Sequence, residues 1–154
     1  MNLFARLKKK KASTVMGVKV KKLHPKAIIP TYAKHGDAGL DLTAVTRNID
    51  NEGNVVYSTG LSFDIPQGYM GMIYPIDSTS KQNIILTNCV EIIYPNNPKE
   101  VILKYKPLLG DFDKYGAITR YAKYAEFTNL FRIGRQIARL VVVPCVNVNL
   151  IEVN

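Results

Sequence analysis

The sequence predicts an all-β domain, a barrel or sandwich of short strands. Two observations carry this. Short β-branched and aromatic segments recur along the chain, and turn-forming clusters separate them at regular spacing. Residues 18–21, Val-Lys-Val-Lys, alternate apolar and polar as a half-buried strand does. Asn51-Glu52-Gly53-Asn54 is a turn cluster, and the strand-like residues 55–65 follow it. Pro66-Gln67-Gly68 makes the next turn. Residues 69–74, 84–86, 90–93 and 101–105 are further strand candidates, and residues 136–143 are apolar and β-branched. Residues 146–153 are apolar on much of both faces, so a strand there needs cover on each side. Residues 117–131 read equally as a short helix or an aromatic-rich loop. No internal repeat is visible.

Charge divides the chain of 154 residues in two. Arg6, Lys8, Lys9, Lys10, Lys11, Lys19, Lys21, Lys22 and Lys26 stand in residues 1–26 with no acid among them, and the net charge of the whole is +9. The remainder is therefore neutral. This places a basic N-terminal arm at residues 1–16 and one domain at 17–154. Such an arm on a neutral body suits electrostatic contact with nucleic acid, an anionic surface or an acidic protein. Arg6, Lys8, Lys9, Lys10 and Lys11 are its expected partner-binding residues.

Cys89 and Cys145 are distant in sequence, belong to no CxxC pair and lie in apolar runs, which predicts two reduced, buried thiols. Leu3, Phe4 and Leu7 precede the lysines, the reverse of a secretory signal. No apolar run has the length of a membrane span. The expected location is a virion or a host cytoplasm, not the secreted space. His24 and His35 have no cysteine or carboxylate at ligand spacing, so no metal site is expected. Aromatic and basic residues interleave between positions 105 and 132, a pattern that suits partner contact, or stacking on single-stranded nucleic acid.

The segment His35-Gly36-Asp37-Ala38-Gly39-Leu40-Asp41-Leu42-Thr43-Ala44 resembles the first signature motif of the trimeric dUTPase family. Pro30-Thr31-Tyr32-Ala33 precedes it as in that family. Ser58-Thr59-Gly60-Leu61 and Ile65-Pro66-Gln67-Gly68-Tyr69 match the following β-arm. Pro75-Ile76-Asp77-Ser78 stands at the second motif, residues 88–94 lead into the third, and Gly134-Arg135-Gln136-Ile137-Ala138-Arg139-Leu140 occupies the fourth. The resemblance covers residues 17–153. It implies a distorted jelly-roll barrel, a homotrimer with an exchanged C-terminal strand, and hydrolysis of dUTP to dUMP and pyrophosphate with Mg²⁺.

Set against that resemblance, several working positions differ. Tyr94 stands where the family has its water-activating carboxylate, and a neutral phenol is a poor base. Asn97 replaces the uracil-stacking tyrosine, and Pro98 beside it lacks a backbone donor. Ile76 replaces the phosphate-gripping arginine, and Asp77 a serine. Ser78 is retained. Gln136 replaces the fourth motif's arginine, and Arg139 its glutamine. The arginine-containing fifth motif is not found before Asn154. Asp41 is in place, with a further reading as a residue that fixes a local turn. The expectation is a non-catalytic homologue without cofactor: a homotrimeric structural or interaction protein associated with a phage capsid, with other virion proteins as partners. One alternative is a dUTP diphosphatase with Mg²⁺ that uses Arg139 and Lys81 in new roles. Another is a nucleic-acid-binding or regulatory trimer acting through the arm.

Overall fold

The computed structural model describes residues 15–81, 84–107 and 132–153. The arm residues Arg6, Lys8, Lys9, Lys10 and Lys11, and most of the aromatic-basic segment, lie outside them. Among the described residues nine strands and one short helix follow in order: β1 Lys19–Lys22, β2 Leu40–Thr43, β3 Thr46–Ile49, β4 Val55–Asp64, β5 Tyr69–Pro75, α1 Ser78–Lys81, β6 Ile84–Leu86, β7 Glu91–Ile93, β8 Glu100–Pro107 and β9 Gln136–Pro144. All strand pairs are antiparallel. One sheet runs β1-β4-β8-β6, with β3 also on β4. The other runs β2-β9-β5-β7.

The period-2 pattern places the core between the sheets. Leu42, Ile73, Ile93, Ala138 and Leu140 face Tyr57, Leu61, Phe63, Leu103 and Tyr105, all buried. The Tyr57 and Tyr105 rings meet edge-on, with centroids 6.0 Å apart. Tyr105 Oη donates to the Ile137 carbonyl at 2.6 Å, which ties β8 of one sheet to β9 of the other. Burial pushes the Tyr105 phenol well above its ordinary pKa, so it remains a donor.

β4 serves two partners because it bends. Its register against β8 shifts between Ser58 and Ser62, and Gly60 sits there at φ +62. A Cβ on Gly60 would lie 2.6 Å from the His24 Cβ. The first half of β4 pairs with β3, the second with β1. Buried Thr59 closes the bend by donating through Oγ1 to the Val101 carbonyl at 3.0 Å.

Two sequence expectations change, and a third segment, expected to exchange between subunits, has no ladder inside the chain. Residues 146–153 form no strand within the chain, and Val146, Val148, Leu150, Ile151 and Val153 are exposed. No ladder partner lies beside them among the described residues. Cys89 and Cys145 are both exposed rather than buried. Cys89 occupies a turn at φ +60, and Cys145 follows the end of β9. The turn role considered for Asp41 belongs to Asp37, whose Oδ2 accepts from the Lys34 amide at 2.8 Å, while Asp41 lies inside β2.

Candidate functional site

The first and fourth motifs meet across two strands. β2 pairs with β9 so that Asp41 stands opposite Arg139, and β9 pairs with β5 so that Arg139 stands opposite Tyr74. Directly opposed residues share a sheet face. That face points away from the Leu42–Ala138–Leu140–Ile73 core. Arg139 Nε donates to Asp41 Oδ1 at 3.0 Å, with the Asp41 side chain 8% exposed and that of Arg139 42%. A buried carboxylate needs such a partner.

Gly39 makes the pairing possible. A Cβ at position 39 would collide with Arg139 Cγ, come within 2.8 Å of Cδ, and reach 3.0 Å from the Leu140 carbonyl. The Gly-Leu-Asp of the first motif thus works as a unit. Glycine admits the arginine stem, Leu40 packs against the core, and aspartate receives the guanidinium.

The second motif opens differently. Ile76 packs against the core, so the position carries an apolar plug. Asp77 is exposed, and Ser78 begins α1. Thr79 fixes this turn, donating through Oγ1 to the Ile76 carbonyl at 2.7 Å. Gln136 is exposed at the start of β9, opposite Thr43.

The third motif forms a separate cleft of about 170 Å³ lined by Glu91, Tyr94, Asn97, Lys99 and Glu100 with the neighbouring Ile92, Ile93 and Val101. Asn96, at φ +55, anchors the connection from β7 to β8: the backbone N–H donates to the Ile65 carbonyl at 3.3 Å and the side chain to Gln67 Oε1 at 3.1 Å. Glu100 accepts from Ser58 Oγ, and Glu91 from Asn88 Nδ2. Tyr94 and Asn97 line one cleft, and Glu91, Lys99 and Glu100, which the sequence reading did not single out, line it with them. Their signal was adjacency to the motif, at positions where strand ends bring side chains into one concavity.

The two groups do not meet within one chain. Ile93 stands opposite Gly71 on β5, so Tyr94 lies level with Met70, whereas Arg139 stands level with Tyr74. Four residues of strand separate Tyr94 from Arg139 by about 13 Å along β5, while Glu91, opposite Ile73, is one residue from the Arg139 level but on the other face of the sheet.

The dUTPase family profile matches residues 25–101. The deoxyuridine 5'-triphosphate nucleotidohydrolase of Trichodesmium erythraeum is 30% identical over 142 residues, 90% of this chain and 88% of that relative. The chain belongs to the dUTPase family. The enzyme of the same name from Solibacter usitatus is 37% identical over 94 residues, 57% of this chain and 63% of the relative. In fold, the Staphylococcus bacteriophage 80alpha dUTPase with dUpNHpp aligns at a TM-score of 0.68 and 19% identity, over 90% of this chain and 89% of that one.

Membership in the dUTPase family corrects the expectation of a non-catalytic, capsid-associated protein. The relatives that match are nucleotidohydrolases, and the likeness to the Trichodesmium protein runs along nearly the whole barrel. The altered positions still leave a guanidinium, Arg139, beside Asp41, and carboxylates in the cleft of Tyr94. Among the described residues, no helix is long and apolar enough to cross a membrane.

Proposed function

We propose that the chain hydrolyses deoxyuridine triphosphate to the monophosphate and pyrophosphate. The observation that carries this reading is the Gly39–Asp41–Arg139 unit, a guanidinium held on a buried carboxylate where the family's first and fourth motifs meet. Whole-barrel identity to nucleotidohydrolases supports it. The reaction requires that triphosphate charge be neutralised and a water deprotonated. Arg139 serves the first need. Glu91 and Glu100 are the carboxylates in the cleft with Tyr94 and Asn97, and either is a better base than a neutral phenol.

Among the described residues no three His, Cys, Asp or Glu converge on one point as a metal cage. Mg²⁺ on a triphosphate needs none, since it keeps several waters and uses one or two carboxylates. Asp41 and Asp77 are the side chains to meet it, and the ion would supply charge neutralisation at the phosphates.

The reading also requires assembly, as a homotrimer by family resemblance. Three features favour it. The Arg139 face and the Tyr94 cleft lie apart in one chain. Residues 146–153 expose apolar side chains without a partner strand. The outer face of β5 and β9 carries Met70, Met72, Val141 and Val143, all only half-buried. The basic arm, Arg6 and Lys8 to Lys11, is the further contact proposed for a polyanion. The test is pyrophosphate release from dUTP and Mg²⁺ by the purified full chain. Turnover on the order of 1 s⁻¹ or faster is expected for an ordinary enzyme. No release above the uncatalysed rate at micromolar protein overturns the proposal.

A further inference from the structure

A second groove, of about 520 Å³, opens on the outer face of the first sheet, away from the sheet that carries Asp41 and Arg139. β1 and the second half of β4 make its floor. Lys19 stands opposite Asp64 and Lys21 opposite Ser62, so these four side chains share one face. Leu61 and Phe63, which alternate with them, point into the core. The wall is the connection from β7 to β8. It turns Asn96 and Pro98 to the groove, while Tyr94, Asn97 and Lys99 line the other cleft behind it. Ser62 is the anomaly. It is only 4% exposed, yet its hydroxyl makes no hydrogen bond with any described residue. A buried hydroxyl left unpaired costs stability that an alanine would not lose. Its neighbours have other commitments. Glu100, across β8 in the same row, accepts from Ser58 Oγ. Asn96 gives its amide to Gln67 and keeps its own Oδ1 as an acceptor. Lys19 meets Asp64 at 3.6 Å, an exposed pair that contributes little. Lys21 has no ion pair among the described residues. One ammonium and one hydroxyl therefore stand side by side as donors without an acceptor.

We propose that this groove is an effector site for a small ligand carrying one oxyanion group. The phosphate or carboxylate oxygens sit between the Lys21 ammonium and the Ser62 hydroxyl, and charge-assisted bonds of this kind are the strong ones. The body of the ligand lies against Leu23 and Pro98 and turns hydroxyl or amine donors to Asp64 and Asn96. A single anionic group fits this donor set and a polyphosphate does not. The next cation is Lys19, about 7 Å further along β1 and already turned to Asp64. Within one chain the ligand reaches neither Arg139 nor the Tyr94 cleft, so it is not a substrate. It touches the wall that both clefts share, and its occupancy is felt at Tyr94 and Asn97 through Asn96. The site stands on Ser62 and Lys21 and does not rest on the hydrolase reading.

Isotope-labelled full-length protein is titrated with inorganic phosphate and, separately, with acetate, and the backbone amide signals of Lys21, Ser62 and Asn96 are followed by NMR. At least one probe should move them saturably, and the signals of Tyr94 and Asn97 should move with the same midpoint. Saturation by phosphate alone assigns a phosphate ester, by acetate alone a carboxylate, and by both an oxyanion of either kind. Lys21→Gln and Ser62→Ala should each weaken this binding about 5-fold or more. Arg139→Gln should leave it within about twofold, because that residue lies on the other sheet. Ser62→Ala should melt no lower than wild type, since it removes an unpaired hydroxyl, whereas a structural role for that hydroxyl predicts a clear drop. Signals that neither probe moves overturn the site. So does an affinity unchanged in Lys21→Gln, a variant of an exposed residue that keeps the test decisive should Ser62→Ala fail to fold. Movement lost in Arg139→Gln assigns the anion to the other sheet and also overturns it. Movement at Lys21, Ser62 and Asn96 with Tyr94 and Asn97 still overturns the effector role.

Discussion

Asp50 shows how one side chain organises a turn. Its Oδ1 accepts from the amides of Glu52 at 3.1 Å and Asn54 at 2.9 Å, and its Oδ2 from Asn54 Nδ2 and Lys104 Nζ, each at 3.0 Å. The Asn54 side chain first, and its backbone next, hold the Asp50 carboxyl far below its ordinary value of 3.8. The hydrogen bond to Asp50 in turn raises Lys104. A depressed carboxyl binds fewer protons folded than unfolded. The stability it contributes is therefore present above the unfolded value and lost as pH falls toward the folded one. Melting curves from about pH 5 down to about pH 2 should fall less steeply in Asp50→Asn than in wild type. Parallel curves would refute the linkage. At this scale the sequence was partly legible. Asn51-Glu52-Gly53-Asn54 announced the turn by its residue types. The Lys104 contact was not announced, since it depends on β8 lying across β4.

At the scale of elements, β4, β5, β8 and β9 were readable because β-branched runs between Gly and Pro clusters admit little else. Residues 69–74 became Tyr69–Pro75, and 136–143 became Gln136–Pro144. β2 and β3 were hidden. Leu40–Thr43 lies directly behind the turn residues of the first motif, and Thr46–Ile49 carries Arg47 and Asn48. Positions 146–153 have the pattern of a strand without a ladder partner among the described residues, and a strand exists only beside another. The Asp41–Arg139 partnership was equally unreadable, because it joins residues 98 apart through a register that only folding sets. The two sheets themselves are joined by Tyr105, whose Oη reaches across to Ile137. Tyr105→Phe keeps the ring and leaves the buried Ile137 carbonyl without that donor. It should cost about 1–3 kcal/mol in urea denaturation. A change below about 0.5 kcal/mol would mean that water or another donor takes its place.

At the scale of the whole molecule, the proposed anion grip and the proposed base stand apart in one chain: Tyr94 is about 13 Å from the Arg139 level along β5, and Glu91 is on the opposite face of the sheet from Arg139. A single reacting phosphorus cannot be gripped by one and attacked from the other unless another copy brings its own half close. The exposed tail and the apolar outer face of β5 and β9 are surfaces that association would cover. This makes catalysis testable by subunit mixing. Arg139→Gln damages one half-site, and a double variant, Glu91→Gln with Glu100→Gln, damages the other. Each alone should be nearly inactive. Co-refolded in equal amounts, they form mixed oligomers in which about one quarter of sites draw an intact half from each variant, if the halves come from different chains of a closed symmetric assembly. Activity should then return to about a quarter of wild type. Were both halves of a site to come from one chain, mixing would restore nothing, since every chain would carry one damaged half.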